Sequence, residues 1–153
     1  MFKERKYMVY GLFMIMSLVV LLSCSSRKSK ERTKAKYMYT GSLFRYSLLY
    51  AKSLKPDRIY ILSAKHKLIS FDSEIDPYNE SLNGMTAARR KSWSEDVLGQ
   101  LGKENNLERD TFIILAGKKY REFLIDGIRN YKVPLENMRI GQQLRHLKEV
   151  IDE

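Results

Sequence analysis

The sequence predicts an α/β domain: a three-layer, Rossmann-like sandwich built on a small, mostly parallel sheet of about four strands. Three observations lead there. Short apolar runs at Leu18–Ser23, Arg58–Ser63 and Thr111–Ala116 are each bounded by polar or turn residues, as buried parallel strands are. The segments between them carry apolar residues at helical spacing. Strands that alternate with helices pair in parallel through right-handed crossovers, which puts helices on both faces of the sheet.

The first run is followed by a polar connection over Ser25–Lys36, too charged to be buried. A helix over Ser42–Leu54 presents Leu43, Phe44, Ser47, Leu48 and Ala51 on one face, and Lys55-Pro56-Asp57 stops it. Arg58–Ser63 is the second strand. Ala64–Met85 shows no period and holds Pro77, Asn79, Asn83 and Gly84, so it reads as a long loop. Loops of that length in a compact domain are often functional. Thr86 caps a helix running to about Leu101, with Trp93, Val97 and Leu101 at four-residue steps and Gly102 as its stop. After the third strand, Gly117 turns into a helix from about Lys118 to Asn130, with Tyr120, Phe123, Leu124 and Ile128 on one face. Tyr131–Leu135 is a short fourth strand, which Pro134 confines to an edge or an end. Gly141 starts a last helix with Leu144, Leu147 and Ile151 inward.

A chain of 153 residues with 44% hydrophobic content fits one domain and one core. Its net charge of +10 is uneven: residues 1–36 hold nine Lys and Arg against two Asp and Glu, so +7 of it lies there. A basic surface favours polyanions such as nucleic acid, nucleotides or an anionic membrane. The single cysteine excludes an internal disulfide and a cysteine-based zinc site.

Val19–Lys28 can be read in two incompatible ways. With Lys3, Arg5 and Lys6 as a basic n-region and Met8–Leu22 as an apolar h-region, Leu21-Leu22-Ser23-Cys24 looks like a lipobox, and Cys24 would be lipidated. That makes a membrane-anchored lipoprotein, although Met8–Leu22 is short of the ~20 residues a membrane-spanning helix needs. In the other reading, Leu18–Ser23 is the first buried strand of a cytoplasmic domain over residues 16–153. Residues 1–15 are then an apolar and basic extension, or follow an upstream start ahead of Met14 or Met16. The strand reading is preferred, since losing that strand would leave too small a parallel sheet to cover.

Candidate chemistry sits at the strand ends. Cys24, Ser25, Ser26 and Lys28 follow the first strand; small hydroxyl residues leave backbone N–H groups accessible, and lysine supplies counter-charge for a phosphate. The missing glycines set this apart from a Walker loop. Lys65 and His66 follow the second strand, where the lysine favours a neutral imidazole able to act as a base. In the long loop, Asp76 offers a carboxylate and Tyr78 a ring for stacking on a base, with an ordinary Asp–Pro turn as the structural alternative. After the third strand, Lys118, Lys119, Tyr120 and Arg121 follow a glycine turn as a candidate phosphate seat with three cations, and Gln142 and Gln143 open the last helix with amides that can read a base edge. No histidine–carboxylate set has metal-ligand spacing, so neither a metal nor a cofactor is expected.

Taken in order, S-C-S-x-x-K (Ser23–Lys28), Y-T-x-x-L-F (Tyr39–Phe44), Y-I-L-S-A-K-H (Tyr60–His66), D-P-Y (Asp76–Tyr78), Trp93, L-A-G-K-K-Y-R (Leu115–Arg121) and I-G-Q-Q-L (Ile140–Leu144) resemble an uncharacterised family of small bacterial and phage proteins. That family is distantly similar to the YaaA proteins and to the uracil-DNA-glycosylase-like core of archaeosine synthase. The likeness covers roughly residues 17–147 and places S-C-S-x-x-K inside the domain. It implies a protein directed at nucleic acid, and a base-processing enzyme that cleaves or exchanges an N-glycosidic bond. In that role Lys65, His66 and Asp76 would be catalytic, and Cys24, Ser25, Lys28 and Tyr78 would hold phosphate or base. A non-catalytic nucleic-acid-binding module using the same surface is the alternative.

Overall fold

The computed structural model describes residues 5–9 and 12–152. Arg5–Val9 (β1) and Leu12–Met16 (β2) pair as an antiparallel hairpin apart from the main sheet. Lys3, the first cation of the expected n-region, lies outside the described residues, as does Met1. Leu18–Ser23 is a strand (β3), and Val19 to Leu22 are fully buried. An unbroken V-V-L-L run can be satisfied only where both faces are covered, and each such side chain contributes about 1.5–3 kcal/mol on burial. β3 is accordingly the central strand. A chain cut before Cys24 would lose it.

Thr33–Lys34 (β4) and Ala35–Met38 (α1) follow, then Ser42–Ser53 (α2) and Arg58–Ser63 (β5). α2 ends where Lys55 takes a left-handed φ of 50° just before Pro56. Lys67–Ser70 (β6) and Glu74–Ile75 (β7) lie inside the segment expected to be a loop. β6 folds back antiparallel on β5 through a tight turn, with Lys67 at φ 65°, and covers what would otherwise be an open edge. Its partly exposed K-L-I-S has no alternation to betray it. The sheet therefore has five strands rather than four. β4 and β7 pair antiparallel, so part of the supposedly polar connection is ordered, and Ala35 and Met38 are fully buried.

Ala87–Glu104 (α3) is capped by Thr86, whose hydroxyl accepts the Arg89 N–H. It runs past Gly102, since one glycine in a helix costs only about 1 kcal/mol. Asn105 stops it, its side-chain amide donating to the Leu101 carbonyl. Thr111–Leu115 (β8) leads to Lys118–Arg121 (α4), a single turn where a helix to Asn130 was expected. Beyond it the chain tightens into i→i+3 bonds, Leu124 to Arg121 and Gly127 to Leu124. Gly127 passes so close to α3 that a Cβ there would meet Leu98 Cδ1 at 2.6 Å. The expected inward residues Tyr120, Leu124 and Ile128 are still buried. Asn130–Lys132 (β9) is an edge strand, but it starts one residue earlier than expected and stops before Pro134 instead of reaching Leu135, since proline has no N–H for the ladder; Ile140–Ile151 (α5) follows.

The order across the sheet is β6-β5-β3-β8-β9, with β5, β3, β8 and β9 parallel. α2 packs on β3 and α5, while α3 packs on β6 and α4. Right-handed crossovers put these two sets on opposite faces, giving three layers. Among the described residues, no helix is long and apolar enough to cross a membrane.

Candidate functional site

The chain leaves β3 to form β5 on one side and then returns to form β8 on the other, so its direction across the sheet reverses between β3 and β8. Open α/β sheets bind ligands beyond the carboxyl ends of strands at such a point. A pocket of about 550 Å³ lies there, a size suited to a small organic ligand. Cys24, Ser25, Ser26 and Lys28 reach it from β3, and Lys118, Lys119, Tyr120 and Arg121 from the end of β8. Asn79, Glu80 and Ser81 line it from the long loop, and Leu43, Phe44, Leu135 and Ile140 form an apolar wall. Ile140 is 70% exposed at the mouth.

The lining holds four cations, Lys28, Lys118, Lys119 and Arg121, against one carboxylate, Glu80. Two of the cations are steered by backbone carbonyls: Lys119 donates to Asn83 O at 3.2 Å and Arg121 to Ala116 O at 2.8 Å. Both acceptors are neutral, so the positive charge is held in place without being cancelled. The Lys28 Nζ stands 4.5 Å from the Tyr78 ring centroid and 6.0 Å from that of Tyr39.

Beneath the cations is a layer of buried hydroxyls. The Tyr39 and Tyr78 hydroxyls share a hydrogen bond at 2.6 Å, and Ser63 donates to Tyr78 at 2.8 Å. The Ser63 Oγ accepts the His66 N–H, and its carbonyl accepts the Trp93 indole N–H, both at 2.9 Å. Burial above all pushes Tyr39 up to about 12 and carries Tyr78 and Tyr120 higher still, so all three remain neutral phenols. Burial first, and then Lys65, holds the His66 imidazole below its ordinary range. Its ring sits edge-on to Tyr78, and its Nε2 is buried without a partner among the described residues.

The structure thus gathers Cys24, Ser25, Ser26, Lys28, Lys119, Tyr120, Arg121 and Gln143 around one pocket. It places the other candidates elsewhere. Tyr78 is buried, its hydroxyl bonded to Tyr39 and Ser63 and its ring beneath the Lys28 ammonium, so its face is not open for stacking on a base. His66 lies behind Tyr78, and Lys65 is exposed in the β5–β6 turn. Asp76 is paired with Arg32 at 3.0 Å on the surface, 67% exposed. Gln142 caps α5, its Oε1 accepting the Arg139 N–H at 2.8 Å. Among the described residues no group of His, Cys, Asp and Glu is arranged to hold a metal.

Sequence reasoning passed over Glu80 and saw no wall in Leu43, Phe44, Leu135 and Ile140. Glu80 follows Asp76-Pro77-Tyr78-Asn79 directly, but nothing in its spacing distinguishes it from Asp76. Comparison with curated proteins and comparison with solved structures each gave no match. Residues 19–149, from the central strand to the last helix, match the family of unknown function DUF6884, and the chain belongs to that family.

Proposed function

We propose that this protein is directed at nucleic acid or a nucleotide and takes a phosphate-bearing unit into the pocket between β3 and β8. One observation carries the reading: four cations face a single carboxylate around a pocket at the point where ligands bind in open α/β sheets. Hydroxyls of Ser25 and Ser26 add donors for phosphate oxygens, and Leu43, Phe44 and Ile140 suit the face of a base. Binding is the part of the expectation that this geometry favours. Base processing, the activity added by the likeness to the YaaA proteins and archaeosine synthase, would draw on Glu80 rather than Asp76, because Glu80 is the carboxylate that faces the pocket.

The test compares a nucleoside 5′-monophosphate with its nucleoside on the full chain. Trp93, the single tryptophan, lies 5.7 Å from Tyr120 and reports occupancy by its fluorescence. A charge-assisted hydrogen bond contributes about 1.5–3 kcal/mol, so the monophosphate should bind roughly tenfold tighter or more. Lys28→Gln combined with Lys119→Gln should erase the difference. Equal affinities in the unaltered protein would overturn the reading.

A further inference from the structure

A second cavity, of about 500 Å³, opens at the amino ends of β8 and β9 and is lined by Arg109, Arg129, Asn130, Tyr131 and Lys132. Three of these side chains are cationic and none is a carboxylate. Among the described residues, Arg109 and Lys132 enter no ion pair. Arg129 meets Glu108 at 3.6 Å, with both side chains more than 70% exposed, a pair that water and salt screen almost fully. Asn130 holds the arrangement together, its side-chain amide donating to the carbonyls of Glu108 at 3.1 Å and Arg109 at 3.5 Å. That ties the loop carrying Arg109 to the strand carrying Lys132. Tyr131, between Asn130 and Lys132, is 41% exposed, a large aromatic left open to solvent beside three cations.

Cations that follow a backbone, interleaved with an exposed aromatic ring, are how proteins hold single-stranded nucleic acid without reading its sequence. We infer that the β9 edge is a second nucleic-acid contact, a track for the backbone of a single strand that also places one nucleotide in the pocket between β3 and β8. The inference rests on the nucleic-acid reading of that pocket. The two sites lie at opposite ends of β8, whose five residues span about 17 Å at ~3.3 Å each. At ~3.4 Å per stacked nucleotide, that distance is about five nucleotides. A mononucleotide therefore fills the pocket alone, whereas a strand of about five or more reaches both sites.

The experiment measures binding of oligodeoxythymidylates of increasing length to the full chain over a range of salt. Affinity should rise with length up to about five or six nucleotides and then level off. Replacing Arg109, Arg129 and Lys132 together by Gln should make the log–log salt slope shallower by about 2 for the long strands, three contacts at ~0.7 each. Tyr131→Ala should weaken long-strand binding about tenfold. Neither change should alter mononucleotide binding, and an unchanged melting temperature shows that the exposed substitutions leave the fold intact. Length-independent affinity, or unaltered long-strand binding by the triple variant, overturns the inference while leaving the pocket reading standing. Long strands that bind through the β9 edge when no mononucleotide binds would overturn the pocket reading, and with it the seating of a nucleotide there, leaving only the contact at the β9 edge.

Discussion

The Cys24 thiol donates to the Tyr120 hydroxyl across 3.4 Å, joining the end of β3 to α4 at the floor of the pocket. The same oxygen accepts the Leu82 N–H, also at 3.4 Å. Burial first, and then the neighbouring thiol, raises the Tyr120 pKa, so the floor carries no phenolate. The cations around the rim are not neutralised from below, and their field is left for a ligand.

Ser63 is the centre of the buried hydroxyl layer. It is fully buried, donates to Tyr78 and accepts from the His66 N–H. Ser63→Ala removes both partners at once and should lower stability by about 1–3 kcal/mol. Urea unfolding would register this as a lower midpoint at unchanged slope. An unmoved midpoint would mean that the layer contributes nothing to the fold.

Asp76 and Glu80 are four residues apart but should behave differently. Asp76→Asn breaks only an exposed pair with Arg32 and should change stability by less than about 1 kcal/mol, with no effect on monophosphate affinity. Glu80→Gln removes the one charge opposing phosphate in the pocket and should tighten binding by about two- to fivefold. Titration of each variant by Trp93 fluorescence checks both. Weaker monophosphate binding in Asp76→Asn would return Asp76 to the site.

His66 should make stability depend on pH. Its folded pKa lies below the ordinary 6.5 because of burial and then Lys65, with Glu80 and Asp76 acting in the opposite direction. As pH falls, the unfolded chain takes up the proton first. Stability is therefore complete above 6.5 and declines between 6.5 and the lower folded value. Denaturant midpoints measured through that window should fall in the unaltered protein and flatten in His66→Gln. Parallel curves for the two would show that His66 is not held neutral by the fold.

Much of the fold was legible because buried strands announce themselves locally. The V-V-L-L run of β3, the I-Y-I-L of β5 and the F-I-I-L of β8 are each apolar on both faces, which only an interior parallel strand tolerates. β6 escaped notice because half-exposed residues at a sheet margin follow no strict period. The short α4 escaped because the apolar spacing over residues 120–128 fits either a helix or successive tight turns. The overrun of α3 past Gly102 reflects how weakly one residue's propensity counts against a packed helix.

By itself the sequence determined the α/β class, the three buried strands and their polar carboxyl ends, since each follows from hydrophobicity and residue type along a short stretch. Only the tertiary structure decided which of those ends share a pocket. It brought Cys24 and Lys28 to Lys118–Arg121, sent Asp76 to an exposed pair with Arg32, turned Tyr78 inward beneath Lys28, and set Glu80 against the cations. A site is made of strand ends that are neighbours in the sheet. That neighbourhood depends on the order β5-β3-β8, which the crossovers set and no local stretch of sequence encodes.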